Sequence, residues 1–299
     1  MNRLILTAIA IATLFMGFSN LSFGQDDLSK YLMTDSLPSN DRVIATFKTT
    51  RIINMQSLES LPKRTLNFVI AHRFGAFNSG SYNFWGLDGP ASIRIGLEYS
   101  YDGRFMMGIG RSSDQKMMDG FLKYRLIRQT TTNSSPISMT AVSAMNYTLQ
   151  VDPNAATTGF NEYQYPTNRM SFVNELIFGR KFNQKLSLQM TAYMVHVNQV
   201  LYITDHNDIF AAGIAGRYKL SKRMALTAEY VYRINKYSVQ TYYNPFGIGF
   251  DIETGGHVFQ IMMVNSYDIS EAQVIPYTNT KWTNMGIRLG FNLSRVFSL

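Results

Sequence analysis

The sequence predicts an all-β fold: a transmembrane antiparallel β-barrel of about 12 strands, with short periplasmic turns and longer extracellular loops. Three observations predict it. Segments of about ten residues alternate apolar and polar side chains along most of the chain. The connections between them run alternately short and long. After the amino-terminal stretch there is no run of about 18 consecutive apolar residues, so no transmembrane helix is written here.

The chain has 299 residues, no Cys, 13% aromatic residues and a formal charge of +8. Residues 1–24 read as a secretory signal peptide. Met1, Asn2 and Arg3 make a short basic start, and 4–18 is an uncharged run rich in Leu, Ile and Ala. Ser22 and Gly24 supply the small residues before a cut after Gly24. An uncleaved anchor is the alternative, but the run is short for a span and its exit flank carries no positive charge. Cleavage removes only Arg3 from the charge count, so +8 falls to about +7. Without Cys there is no disulfide, no lipobox and no thiolate attachment site, which excludes a lipid-anchored lipoprotein. Lys and Arg are scattered singly or in pairs, with no longer basic run and no basic helix, so nucleic acid is not an expected partner.

Residues 25–64 stand apart from the wall as a periplasmic extension or plug, and 65–299 form the barrel. The stretch 25–41 is polar and acidic, while 43–55 reads as an extra strand, a lumen plug or a periplasmic extension. An odd strand would spoil the even count, so 43–55 is placed outside the wall.

The strands follow in order. The first, 65–74, is weak in pattern. Ile93, Ile95, Leu97 and Tyr99 then oppose Arg94, Gly96 and Glu98. After a weaker strand at 105–111, Leu122, Tyr124 and Leu126 oppose Lys123 and Arg125. The uncharged stretch 137–149 looks like a helix candidate, but Ser138, Thr140, Asn146 and Thr148 fall on alternate positions, a strand period. Phe172, Leu176 and Phe178 oppose Ser171 and Glu175, and Leu188, Met190 and Met194 oppose Gln189, Thr191 and Tyr193. Phe210, Ile214 and Tyr218 oppose Gly213, Arg217 and Lys219. Leu226, Tyr230 and Tyr232 oppose Thr227, Glu229 and Arg233. Phe246, Ile248, Phe250 and Ile252 oppose Gly247, Gly249, Asp251 and Glu253. A weak strand at 258–264 precedes the last, in which Met285, Ile287, Leu289, Phe291 and Leu293 oppose Gly286, Arg288, Gly290 and Asn292.

The shorter connections are 101–104, 129–136, 182–185, 221–223 and 254–256; the longer are 75–90, 150–169, 197–208, 235–244 and 265–281. Only 112–116 breaks the pattern. An even strand count puts both termini on the periplasmic side, as this alternation requires. A soluble β-sandwich or closed soluble barrel also alternates. Two features weigh against it: many Gly, Ser, Thr and Tyr on the polar face, and an abundance of Tyr (18 in the chain) and Phe (20) near strand ends, as in aromatic girdles.

Four segments carry a family likeness: 46–54 (TFKTTRIIN), 71–75 (AHRFG), 255–260 (GGHVFQ) and 291–297 (FNLSRVF). In these the chain resembles an uncharacterised family of bacterial outer-membrane β-barrels, a domain-of-unknown-function family of about this length. The likeness runs from roughly residue 43 to the end. It implies an outer-membrane barrel and names no substrate.

Candidate chemistry is sparse. His72 and His196 lie at external strand ends, while His257 lies at a periplasmic start, a strand length of roughly 30 Å away. His206 has Asp205 and Asp208 beside it in a long loop, which reads as a solvated tip rather than a metal site. No G-x-S-x-G setting surrounds any Ser, and Gly247-Ile248-Gly249 has no following helix to cradle a phosphate. No catalytic residue, metal or cofactor is expected. The remaining place for function is the lumen. The polar parity puts Arg73, Arg94, Lys123, Arg125, Arg217, Lys219, Arg233 and Arg288 there, with Glu98, Glu175, Glu229, Asp251 and Glu253. A ring of about twelve strands has a backbone diameter of roughly 24 Å. Its contents are either an internal salt-bridge network or the lining of a pore. The polar parity reads as charged throughout, so the expected function is a narrow passive channel for small solutes with mild anion preference. The alternatives are a non-conducting structural or docking barrel for a periplasmic or surface partner, and an outer-membrane enzyme. The expected partners are outer-membrane lipid and lipopolysaccharide, small anionic solutes, and a periplasmic partner reached through 25–64.

Overall fold

A computed structural model describes residues 41–151, 163–202 and 204–299. The expected signal peptide, its cut after Gly24 and residues 25–40 of the extension lie outside the described residues. Twelve strands make the wall: β1 (Thr65–Ala76), β2 (Ser92–Ser100), β3 (Phe105–Ser112), β4 (Met118–Ile127), β5 (Ser138–Tyr147), β6 (Met170–Lys181), β7 (Leu186–Val197), β8 (Asp208–Lys219), β9 (Met224–Arg233), β10 (Phe246–Thr254), β11 (His257–Val264) and β12 (Arg288–Ser298). Each is antiparallel to its sequence neighbours, and β1 pairs with β12 from Thr65↔Ser298 to Ala76↔Arg288, so the ring closes. Closure leaves no open edge, the condition a sheet must meet inside hydrocarbon.

The two faces follow from the period of two. Along β2, Ile93, Ile95 and Leu97 are exposed while Arg94 and Glu98 are buried. The exposed apolar parity therefore points out of the ring and the buried parity into it. Outward aromatics collect near one end of the seam, where His72 stacks on Phe291 at 5.1 Å and Phe74 tilts against His72 at 4.3 Å. The rim that holds Thr65 and Ser298 is called the terminal rim below, and the opposite one the far rim.

The last strand starts later than its alternation suggests. Residues Trp282–Asn284 form a short 3-10 turn, Met285 has φ 52°, and the Gly286 N–H donates to the Lys281 carbonyl at 2.9 Å. Met285 and Ile287 are therefore outside the wall, and Leu289 lies at the far rim. Ile214 is the better depth probe: it sits midway along β8, points outward and is 51% exposed. Ile214→Arg is expected to cost about 2–4 kcal/mol and Leu289→Arg at most about 1 kcal/mol, since the cost falls toward the interface. Urea unfolding from lipid vesicles reads both. Equal costs would mean that these positions do not differ in depth.

Candidate functional site

The lumen is occupied by the chain itself. Residues 46–61 enter from the terminal rim, turn back at 52–55 and return to the start of β1. The doubling back is held by an Arg51↔Gln56 bridge, the Ile52 N–H on the Met55 carbonyl at 2.9 Å and the Ser57 N–H on the Thr50 carbonyl at 2.8 Å. At its base Glu59 accepts the Thr46 N–H at 2.7 Å and pairs with Arg125 at 3.2 Å. We call this hairpin the strap.

Its tip makes a tight backbone turn, which leaves successive N–H groups pointing one way and in need of an acceptor. The Glu229 carboxylate on β9 supplies it, accepting from Ile53 at 3.1 Å, Asn54 at 2.9 Å and Met55 at 3.0 Å. The tip carbonyls are met by side-chain donors. Gln260 Nε2 donates to the Ile52 carbonyl at 2.7 Å, and Asn292 Nδ2 to the Ile53 carbonyl at 3.0 Å. Arg73 reaches Asn54 Oδ1 at 2.9 Å and Asn292 Oδ1 at 2.9 Å. Lower down, Gln189 brackets the returning limb, accepting the Leu58 N–H at 2.9 Å and donating to the Gln56 carbonyl at 2.7 Å. Every buried polar group so paired avoids the cost of an unmet one.

Six of the strap's sixteen residues are apolar, and the wall is built to receive them. Phe47, Ile52, Ile53, Met55 and Leu58 are buried in one cluster with inward residues such as Met106, Phe121, Val142, Ile177, Val195 and Met262. The expectation of an inner face polar throughout is therefore corrected. Two inward glycines make the room: a Cβ at Gly179 would stand 2.2 Å from the Leu58 side chain, and one at Gly213 would stand 2.5 Å from the Met55 methyl. The inner wall and the strap interlock by shape as well as by charge.

The charged residues read from the sequence fall into separate groups. Arg73, Glu98, Lys123, Arg125 and Glu229 hold the strap; Glu98 accepts the Thr50 hydroxyl at 2.7 Å and Lys123 donates to the Thr50 carbonyl at 3.3 Å. Arg94 pairs instead with Asp119 on β4, its Nε donating at 2.8 Å. Arg217 bridges Asp251 at 3.2 Å and Glu253 at 2.9 Å near the terminal rim, where Lys48 joins Glu253 at 2.8 Å. Glu175 is buried on β6, and Lys219 is partly exposed at the terminal end of β8. Arg233 donates to the Pro276 carbonyl at 2.9 Å, and Arg288 lies 4.9 Å over the Tyr267 ring. The charge pattern missed Asp119, Lys181, the amides Gln189, Gln260 and Asn292, and the strap's own Arg51, Asn54 and Glu59. The amides did lie on the inward parity, which was the one signal for them. The histidines do not converge: His196 meets Asp208 at 2.7 Å, and Asp205 accepts the Ser238 N–H at 2.8 Å.

A second insertion comes from the far rim. In the long connection between β11 and β12, the helix α1 (Glu271–Tyr277) folds inward, with Glu271 through Pro276 all buried. Ser270 ties its start to Asn146 on β5 at 2.8 Å, and Thr278 closes its end on the Val274 carbonyl at 2.7 Å. Glu271 meets Arg51 of the strap at 2.5 Å, both side chains buried, and Asn54 Nδ2 donates to Ser266 at 3.1 Å. Strap and helix thus touch inside the ring. Above α1 lies a cavity of about 410 Å³ lined by tyrosines, amides and the carboxylates Asp114 and Asp268. Burial, with Asp114 beside it, pushes the Asp268 carboxyl well above its ordinary range.

Fold and contents together define a membrane β-barrel entered from both ends by its own chain. The family model of a membrane-bound β-barrel domain, DUF5777, matches residues 47–297, and the chain belongs to that family. The match starts within the strap, at Phe47. No curated protein matches the chain. Among solved structures it is similar to the NanC porin, at 7% identity and TM-score 0.45, covering 78% of this chain and 99% of that one. It is also similar to an outer-membrane channel from Pseudomonas putida F1, at 13% identity and TM-score 0.44, covering 80% and 98%.

Proposed function

We propose that the protein is an outer-membrane barrel that is shut at rest and serves as a structural or docking barrel, not as a standing passive channel. The strap carries this reading. It fills the lumen with a hairpin whose polar groups are met by wall side chains and whose apolar groups sit in wall recesses. A water-filled passage has no use for an inner face of Val142, Ile177, Val195 and Met262. With the terminal rim on the periplasmic side, the segment before residue 46 leads to the periplasm and α1 faces the cell exterior. The outward parity then meets lipid, with lipopolysaccharide at the far rim.

A second reading, a passage for small anions that opens when the strap leaves, rests on the basic side chains Arg73, Lys123 and Arg125 that the strap covers. One experiment separates the two. The full chain in a planar bilayer is expected to show no discrete conductance. The same chain without residues 43–61 is expected to stay silent if the barrel is purely structural, and to conduct with anion-biased reversal potential if the strap is a gate. Steady discrete conductance from the intact chain overturns the closed-barrel reading.

A further inference from the structure

The geometry points to the cavity above α1 as a binding site for a neutral, hydroxyl-rich ligand, a carbohydrate. The inference does not depend on whether the barrel conducts. The cavity has the volume of a small-molecule site. Two connections bring chemistry of one kind to it: β9–β10 supplies Tyr242 and Gln240, and β11–β12 supplies Tyr267 and Asn279 together with Gln273 and Tyr277 of its helix α1. Aromatic faces pack against the C–H side of a sugar ring, and carboxamides both donate to and accept from its hydroxyls.

The rings are held as a platform. Tyr242 meets Tyr277 edge-on at 5.6 Å, and Tyr237 stacks behind Tyr277 at 5.9 Å. Gln273 is 1% exposed, and its Nε2 is committed to Asp114 at 3.1 Å. Its Oε1 is buried and has no hydrogen-bond partner among the described residues, an acceptor that a ligand hydroxyl satisfies.

The charges exclude an acidic ligand. Asp114 and Asp268 line the cavity. The cation among the described lining residues, Arg169, directs its Nη1 to the carbonyls of Thr148 at 3.2 Å and Gln150 at 2.7 Å, and its guanidinium lies 4.8 Å over the Tyr163 ring. A carboxylate, sulfate or phosphate would meet Asp114 and Asp268, and the Nη1 of Arg169 is already committed.

The test is binding of the purified, detergent-solubilised full chain to an immobilised array of neutral and acidic oligosaccharides. Neutral oligosaccharides are expected to bind, and Tyr242→Ala and Gln273→Ala are each expected to weaken that binding tenfold or more. Gln240→Ala, on an exposed side chain, is expected to weaken it severalfold and keeps the test informative if the Gln273 variant does not fold. Heat-modifiability on gels checks that each variant retains its barrel. Three results overturn the proposal: no neutral oligosaccharide bound, a preference for acidic ones, or binding unchanged in the folded variants.

Discussion

Alanine at position 229 is expected to release the strap tip while the twelve-strand ring stays closed. The Glu229 carboxylate is the shared acceptor for the N–H groups of Ile53, Asn54 and Met55. Bonds to an ionised acceptor are about twice as strong as neutral ones, and a buried donor left unmet costs about 1–3 kcal/mol. Truncating one side chain strands three such donors beside Ile53 and Met55, both buried. The tip then gains several kcal/mol by withdrawing to water. The wall loses nothing comparable, because residue 229 keeps its backbone pairing with Ala215 on β8 and Gly247 on β10. Limited proteolysis should therefore cut within 46–61 in Glu229→Ala, while the unheated band on a gel keeps its folded mobility. Glu229→Gln retains one acceptor oxygen and turns an NH2 toward donors, so its strap should be cut at an intermediate rate. A strap as resistant in the alanine variant as in the parent would show that the carboxylate does not hold it.

Arg51→Met should be nearly as damaging, and for a different reason. Arg51 and Glu271 are 6% and 7% exposed, so removing the guanidinium leaves a carboxylate without its counter-charge away from water. Breaking a buried pair in this way costs about 3–5 kcal/mol, whereas replacing both partners with neutral groups of similar size is often close to harmless. Arg51→Met combined with Glu271→Gln should therefore recover most of the loss. Hydrogen exchange over 50–57 and 270–277 is the readout, since the pair joins those two segments. Protection should fall in both segments for the single variant, although only one of them is altered. A double variant no better than the single one would mean that the ion pair is not the link.

The wall was legible in the sequence because its cause is local. Strand β2 alternates Ile93, Arg94, Ile95 and Glu98 in register with the pleat, and each element can be read without knowledge of its partners. The start of β12 was misjudged because the alternation continues through Met285 and Ile287 into a turn that only the left-handed Met285 reveals. The strap was not legible as a structure. Its stretch 43–55 admitted three readings, since its hydrogen bonds go to side chains such as Gln189, Glu229 and Gln260, more than a hundred residues away. The inner apolar patch was hidden for a related reason. Ile177 lies between Leu176 and Phe178, and a strand apolar on both faces loses its period just where something dry is packed inside it. Amides escaped notice because Gln260 and Asn292 look like ordinary lumen polarity until the carbonyls they serve are in place.

The strap's anchors also bear on how the molecule is assembled. They are drawn from nearly the whole perimeter: Glu98 on β2, Lys123 on β4, Thr140 on β5, Gln189 on β7, Glu229 on β9, Gln260 on β11 and Asn292 on β12. The last two arrive with the carboxy-terminal strands, and Glu271 comes from the connection between those strands. A segment that precedes the wall in sequence therefore completes its docking only after the wall's final pieces have joined. Full seating of the hairpin requires a finished ring: a barrel that stops before its seam closes leaves 46–61 without Gln260, Asn292 and Glu271.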